Sequence, residues 1–134
     1  MKHSKNIGFT LIELLIVMVI LGLLASIVAP RMFSQVSTAK EKVAKAQMQV
    51  LATSLDAYRL DVGDYPSELE SLRKSDASNW NGPYFPKEIP QDPWNNSYFY
   101  QPQVNESTGE GFTLKSLGKD GKQGGEGEDA DVEF

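Results

Sequence analysis

Between Phe9 and Ala29 the chain reads FTLIELLIVMVILGLLASIVA, apolar throughout except for Thr10, Glu13 and Ser26. At about 1.5 Å per residue, a helix of that length spans about 30 Å, the thickness of a bilayer's hydrocarbon core. A chain of 134 residues has room for one compact domain besides such a segment. The apolar residues are concentrated at one end, and residues 101–134 are polar, Gly-rich and acidic.

Cysteine is absent and the only histidine, His3, lies with Lys2 and Lys5 in a short basic leader, Met1 to Gly8. Disulfides and thiolate metal sites are thereby excluded. A product without the leader lacks the usual general base and the best nucleophile. Losing Lys2 and Lys5 takes the net charge from −5 to −7, which argues against a nucleic-acid partner. The remaining catalytic option is a carboxylate pair such as Asp120 and Asp131 acting as acid and base. No pocket-forming motif accompanies that pair, so the sequence favours a role without catalysis.

Glu13 needs its own account, because an ionised carboxylate at membrane depth costs about 2.5–3.5 kcal/mol on insertion scales. In one reading it lies a turn from the membrane surface, solvated by headgroups and helped by the helix N-terminal dipole. In the other, its partner is created by cleavage. A secretory signal peptide would have a shorter apolar core and a small-x-small cleavage site, and Ala25-Ser26-Ile27 and Ala29 match that weakly at the far end. At the near end, Lys5-Asn6-Ile7-Gly8 followed by Phe9-Thr10-Leu11-Ile12-Glu13 resembles the processing site of type IV pilins and the related pseudopilins. The resemblance implies cleavage after Gly8 by a prepilin peptidase and methylation of the new N-terminal residue, Phe9. It also implies that Glu13 pairs with the Phe9 α-amine of a neighbouring subunit and sets the filament's axial register; burial of a lone charge makes such a contact discriminating. Before cleavage, Glu13 is expected to be an unpaired carboxylate near the membrane surface.

Lys2 and Lys5 on one side of the apolar segment, and Arg31, Lys40, Lys42 and Lys45 on the other, leave the positive-inside rule undecided. The resemblance implies a single-pass protein of the bacterial inner membrane, with leader in the cytoplasm and later residues in the periplasm. Pro30 removes a helical donor and is expected to bend or interrupt the helix near its outer end. The resemblance implies that the stretch from Gly22 to Pro30 can unwind when packed in a filament.

From Arg31 to about Val62, apolar residues recur in steps of three and four at Val36, Ala39, Val43, Ala46 and Val50, then at Leu51, Leu55, Tyr58 and Val62. This predicts an amphipathic helix laid on a small domain, with Lys40, Glu41, Lys42, Lys45, Asp56 and Arg59 on its polar face. Helix from Phe9 to Val62 would extend about 80 Å, and only lipid or further copies of the chain could cover its apolar half. Gly63-Asp64-Tyr65-Pro66 ends the helix, and Ser67 with Glu70 predicts a capping box opening a short helix through Leu72. Asn79 to Trp94, with Pro83, Pro86, Pro90 and Pro93, is a kinked loop. Ser97 to Gln101 and Gly111 to Leu117 predict an antiparallel hairpin turning at Asn105 to Gly109, with Trp94, Tyr98, Tyr100 and Phe112 in the core.

Three strings, Asp64-Tyr65-Pro66, Ile89-Pro90-Gln91-Asp92-Pro93-Trp94 and Ser116-Leu117-Gly118-Lys119-Asp120-Gly121, resemble those of the major pseudopilins of bacterial type II secretion systems. The implied fold is pilin-like α+β: a leader (1–8), a transmembrane and assembly helix (9–30), and a periplasmic domain (31–134) in which the amphipathic half of the helix packs on a small antiparallel sheet. The implied function is that of a structural subunit of a periplasmic filament that drives protein export. Its partners are copies of itself, minor pseudopilins, an inner-membrane assembly platform, the peptidase and, before assembly, membrane lipid. The same assembly on a surface pilus would instead serve adhesion, motility or DNA uptake.

Residues 118–134 place Asp120, Glu126, Glu128, Asp129, Asp131 and Glu133 among five glycines. Such composition suits a disordered acidic tail. It also suits a calcium loop, because hard cations take six to eight oxygens and glycines let carbonyls approach. The EF-hand pattern is not met, since Lys122 and Gly124 stand where its ligands would. The resemblance implies one structural calcium within residues 117–131. Its side-chain ligands would be Asp120 with one or both of Asp129 and Asp131, beside the carbonyls of Leu117 and Lys122, with Glu126 and Glu128 in reserve. Calcium would then tie the tail, ending in Val132 and Phe134, back onto the hairpin.

Overall fold

The computed structural model describes residues 7–134; most of the leader, with Lys2, His3 and Lys5, lies outside the described residues. The chain divides into two units, one ending at Val36 and the other running Ser37–Phe134. A single helix, α1 (Leu11–Val62), belongs to both. It is long and apolar enough to cross a membrane, and none of its most apolar stretch is buried within the chain. Every large apolar side chain from Phe9 to Val28 is at least 50% exposed.

Ser26, a polar residue inside that stretch, donates its hydroxyl to the Leu23 carbonyl at 2.7 Å, which satisfies the donor without water. At its far end α1 stops at Val62, where Gly63 takes a φ of +106° and its amide bonds the Arg59 carbonyl at 2.8 Å, a glycine helix stop.

In the second unit the predicted apolar stripe proves to be two. Leu51, Leu55 and Tyr58 are buried, joined by Ala44, Met48 and Ala52. Val43 and Val50 stay about half exposed, at 48% and 51%. The reason is angular: the single step from Val50 to Leu51 turns about 100° around the helix, so the earlier valines lie on a different face from the one that meets the domain.

The chain after α1 folds over that face. A four-residue 3-10 turn, Leu69–Leu72, buries Leu69 and Leu72. The capping box expected from Ser67 and Glu70 is not formed: Glu68 holds the N-cap position and makes no side-chain cap bond. The turn begins at Leu69, one residue later than a cap at Ser67 would place it. Strand β1 (Phe99–Gln101) pairs antiparallel with β2 (Thr113–Ser116), Phe99 facing Lys115. Beyond a 3-10 turn at Gly127–Asp129, β3 (Val132–Glu133) pairs with β2, Ser116 facing Val132. The order β1-β2-β3 extends the expected hairpin by one short strand.

Tyr98 and Phe112 are buried in the core, whereas Trp94 and Tyr100 are partly buried at its margin. Phe112 packs edge-on against Tyr65 at 5.1 Å and stacks with Phe134 at 6.0 Å. Tyr98 donates its hydroxyl to Gln47 Oε1 of α1, and Tyr100 donates to the Pro66 carbonyl at 2.6 Å. Burial raises both phenols well above their ordinary range.

The two-face description of the helix predicts that Leu55→Ala lowers the unfolding free energy by about 2–5 kcal/mol, whereas Val43→Ala changes it by about 0.5 kcal/mol or less. Chemical denaturation of the full chain in detergent, followed by tryptophan fluorescence, measures both.

Candidate functional site

The N-terminal segment presents its cleavage-type bond openly. Phe9 is 85% exposed, and a Cβ on Gly8 would meet nothing within 4 Å. One turn further, Thr10 and Glu13 form a reciprocal capping box. The Thr10 amide donates to Glu13 Oε2 at 3.2 Å, and the Glu13 amide donates to Thr10 Oγ1 at 3.3 Å. Thr10 is the N-cap, since its carbonyl accepts the first helical bond from Leu14, and Glu13 stands three residues on. The carboxylate expected to be unpaired therefore has a backbone partner in the uncut chain. Its signal was present in the sequence as Thr-x-x-Glu before an apolar run.

Gly22 lies within α1 with open space around it, and α1 passes through Pro30 without interruption. Proline removes a single donor, and the ladder on either side holds the helix through that gap.

In the second unit the acidic loop is fixed at its base by a residue to which the sequence analysis gave no role. Asp92 is 3% exposed. Its Oδ1 accepts the amides of Trp94 and Asn96 at 3.0 and 2.8 Å, and its Oδ2 accepts the Ser116 hydroxyl at 2.7 Å. Asn96 Nδ2 then donates to the Gly118 carbonyl at 2.9 Å, and the Gly118 amide donates to Ser116 Oγ at 3.3 Å. The Pro-rich loop thus grips the end of β2 where the acidic loop departs. Asp92-Pro93 followed by Trp94-Asn95 is a turn signal, but the partner Ser116 is 24 residues away and invisible to local pattern.

Beyond Gly118 the loop folds on itself. A Cβ at Gly118 would lie 2.7 Å from the Ala130 carbonyl, and one at Gly125 would lie 2.6 Å from the Asp129 carbonyl; both positions have positive φ, so glycine alone permits this approach. Leu117 is partly buried beside β2, and Asp120 and Lys122 are exposed, with Asp120 Oδ1 accepting the Lys122 amide at 3.0 Å. Asp129 is partly buried at the end of the second 3-10 turn. Asp131 is the most engaged of the acids. Its Oδ2 lies 3.3 Å from Lys115 Nζ and accepts the Gly124 amide at 3.2 Å, while its Oδ1 is buried with no hydrogen-bond partner. Among the described residues no three acidic or histidine side chains converge as a metal-binding group, so a cation here would need main-chain oxygens to complete its shell.

Comparison with known proteins adds to this geometry. The family described as "Type II secretion system (T2SS), protein G" matches residues 31–134, and the "Prokaryotic N-terminal methylation motif" matches residues 3–29. The type II secretion system core protein G of Pseudomonas aeruginosa is 43% identical over 140 residues, covering 98% of this chain and 96% of that protein. The core protein G of Vibrio cholerae is 36% identical, covering 98% and 92%. The crystal structure of the major pseudopilin from the type 2 secretion system of enterohaemorrhagic Escherichia coli matches with a TM-score of 0.60 at 25% identity, covering 74% of this chain and 85% of that one.

The Asp92 node predicts that Asp92→Ala strands three donors and destabilises the domain by about 1–3 kcal/mol, with faster amide exchange at Trp94, Asn96 and Gly118. Asp92→Asn, which keeps an acceptor for the two amides, should recover most of that protection.

Proposed function

The chain belongs to the protein G family of the type II secretion system, and we propose that it acts there as the major pseudopilin, the repeating subunit of a filament that moves proteins outward. The observation that carries this reading is a membrane-length segment whose large apolar side chains from Phe9 to Val28 are all at least 50% exposed, headed by the N-terminal methylation motif. Such a surface is stable only in lipid or against further copies, so one segment serves first as anchor and then as filament contact. The match to protein G over residues 31–134 favours this task over that of a surface pilus.

The remaining steps are those that the resemblance to pseudopilins implies. The leader stays in the cytoplasm and the domain in the periplasm. The exposed Gly8–Phe9 bond is cut and the Phe9 amine methylated. That amine is a cation absent from the uncut chain, and Glu13 of a neighbouring copy is its natural counter-charge. Glu13 is held meanwhile by the Thr10 amide, which blunts the insertion penalty without neutralising the charge. Glu13→Leu should insert and be cleaved normally yet yield no filaments by electron microscopy. Filaments at wild-type abundance would refute the role.

A structural calcium belongs to the same proposal. Asp131 offers a buried carboxylate oxygen with no partner, and the glycines bring carbonyls of the loop close, an all-oxygen donor set suited to a hard cation. Asp131 would hold it with one further acid, Asp120 or Asp129, and with main-chain oxygens such as the carbonyls of Leu117 and Lys122. The ion would screen the acid cluster and secure the tail that pairs through β3. Calorimetry on the full chain in detergent should find calcium binding weakened about tenfold or more in Asp131→Ala. Unchanged affinity in both Asp120→Ala and Asp131→Ala would reject the site.

A further inference from the structure

The C-terminal loop is met by a cation from the sheet. Lys115 lies in β2 opposite Phe99 on one neighbour and Glu133 on the other. Its Nζ reaches Asp131 Oδ2 at 3.3 Å, and each of the two side chains is only 15% exposed. The ammonium also sits 5.1 Å from the centroid of the Phe99 ring, whose face attracts a cation. The loop's other ion pair, Lys119 with Glu128, is 66% and 39% exposed and contributes little in water. The Lys115 pair is largely shielded from solvent, and removing one partner of such a pair strands a buried charge.

The pair is also well placed to close the loop. The oxygen that meets Lys115 accepts the Gly124 amide, so one carboxylate joins the central strand to the middle of the glycine-rich segment. Asp131 precedes β3 directly, and β3 pairs with the same strand that carries Lys115. A lysine on β2 therefore fixes both the loop and the strand that follows it.

We propose that Lys115 is a resident counter-cation that holds the C-terminal loop closed when no divalent ion is bound, and that it weakens the affinity of the calcium site. The first half stands on the ion pair alone. The second rests on the calcium reading: an ion on Asp131 Oδ1 would share one carboxylate with the Lys115 ammonium, and like charges so placed repel.

The test is amide exchange of the full chain in detergent micelles, read by mass spectrometry over residues 118–131, in chelator and in calcium, with calorimetry of calcium binding alongside. In chelator the wild type should be protected there, Lys115→Arg should remain so, and Lys115→Met should exchange about tenfold faster or more, while Phe112 and Leu114 keep their protection. In calcium, Lys115→Met should regain protection and bind the ion more tightly than wild type. Equal protection of wild type and Lys115→Met in chelator would overturn the proposal, as would exposure of Phe112 and Leu114 in Lys115→Met. Calcium affinity unchanged or lowered in Lys115→Met would overturn its second half. If neither protein binds calcium and only Lys115→Met opens, the counter-cation role is supported and the calcium reading is rejected.

Discussion

The hydrophobic effect acting on an uncovered helix is the constraint on which this molecule depends. The large apolar side chains from Phe9 to Val28 are each at least 50% exposed, and water is not a tolerable neighbour for so many of them together. Lipid satisfies them without specificity. A second copy satisfies them too, and there a lone charge can decide register, because a buried carboxylate tolerates few arrangements. The Thr10–Glu13 capping box gives the carboxylate a backbone partner in the uncut chain, and in the proposed assembly its charge is still available to a neighbouring cation.

The domain solves a different problem, that of building a core from few residues. One face of α1 supplies Ala44, Met48, Leu51 and Leu55, and the rest of the chain supplies Leu72, Phe112, Leu114 and Val132. Polar groups then fix what so small a core cannot. Asp92 grips the end of β2 through Ser116, and Lys115 grips the returning loop through Asp131. Asp92 is buried and Lys115 is largely shielded, and such charges would be liabilities unless hydrogen-bonded or paired. Together they turn a segment whose composition resembles a disordered tail into one that ends in a paired strand.

Much of this was legible in the sequence because it is written in local or periodic pattern. The apolar run, the stop at Gly63, the hairpin and the prolines between Asn79 and Trp94 each announce themselves within a few residues. The stripe on α1 was half legible: period alone could not say that the face changes between Val50 and Leu51. Strand β3, with only Val132 and Glu133, is too short for alternation to show. The Asp92–Ser116 and Lys115–Asp131 contacts join residues 24 and 16 positions apart, and only the fold brings them together. In the N-terminal segment Gly8, Phe9 and Glu13 stand out by motif and by charge, whereas the Thr10–Glu13 capping box is masked because Thr10 and Glu13 both sit inside the apolar run.

The claim at the centre is that cleavage creates the partner for Glu13 and that copies of the chain cover one another's apolar helices. High-resolution electron microscopy of filaments formed from the processed protein tests it directly. The Phe9 amine of one subunit should lie within hydrogen-bonding distance of a neighbour's Glu13 carboxylate, with Leu11 to Val28 enclosed by surrounding helices. A filament whose Phe9 amines face solvent, or whose N-terminal helices lie uncovered on its surface, would contradict it.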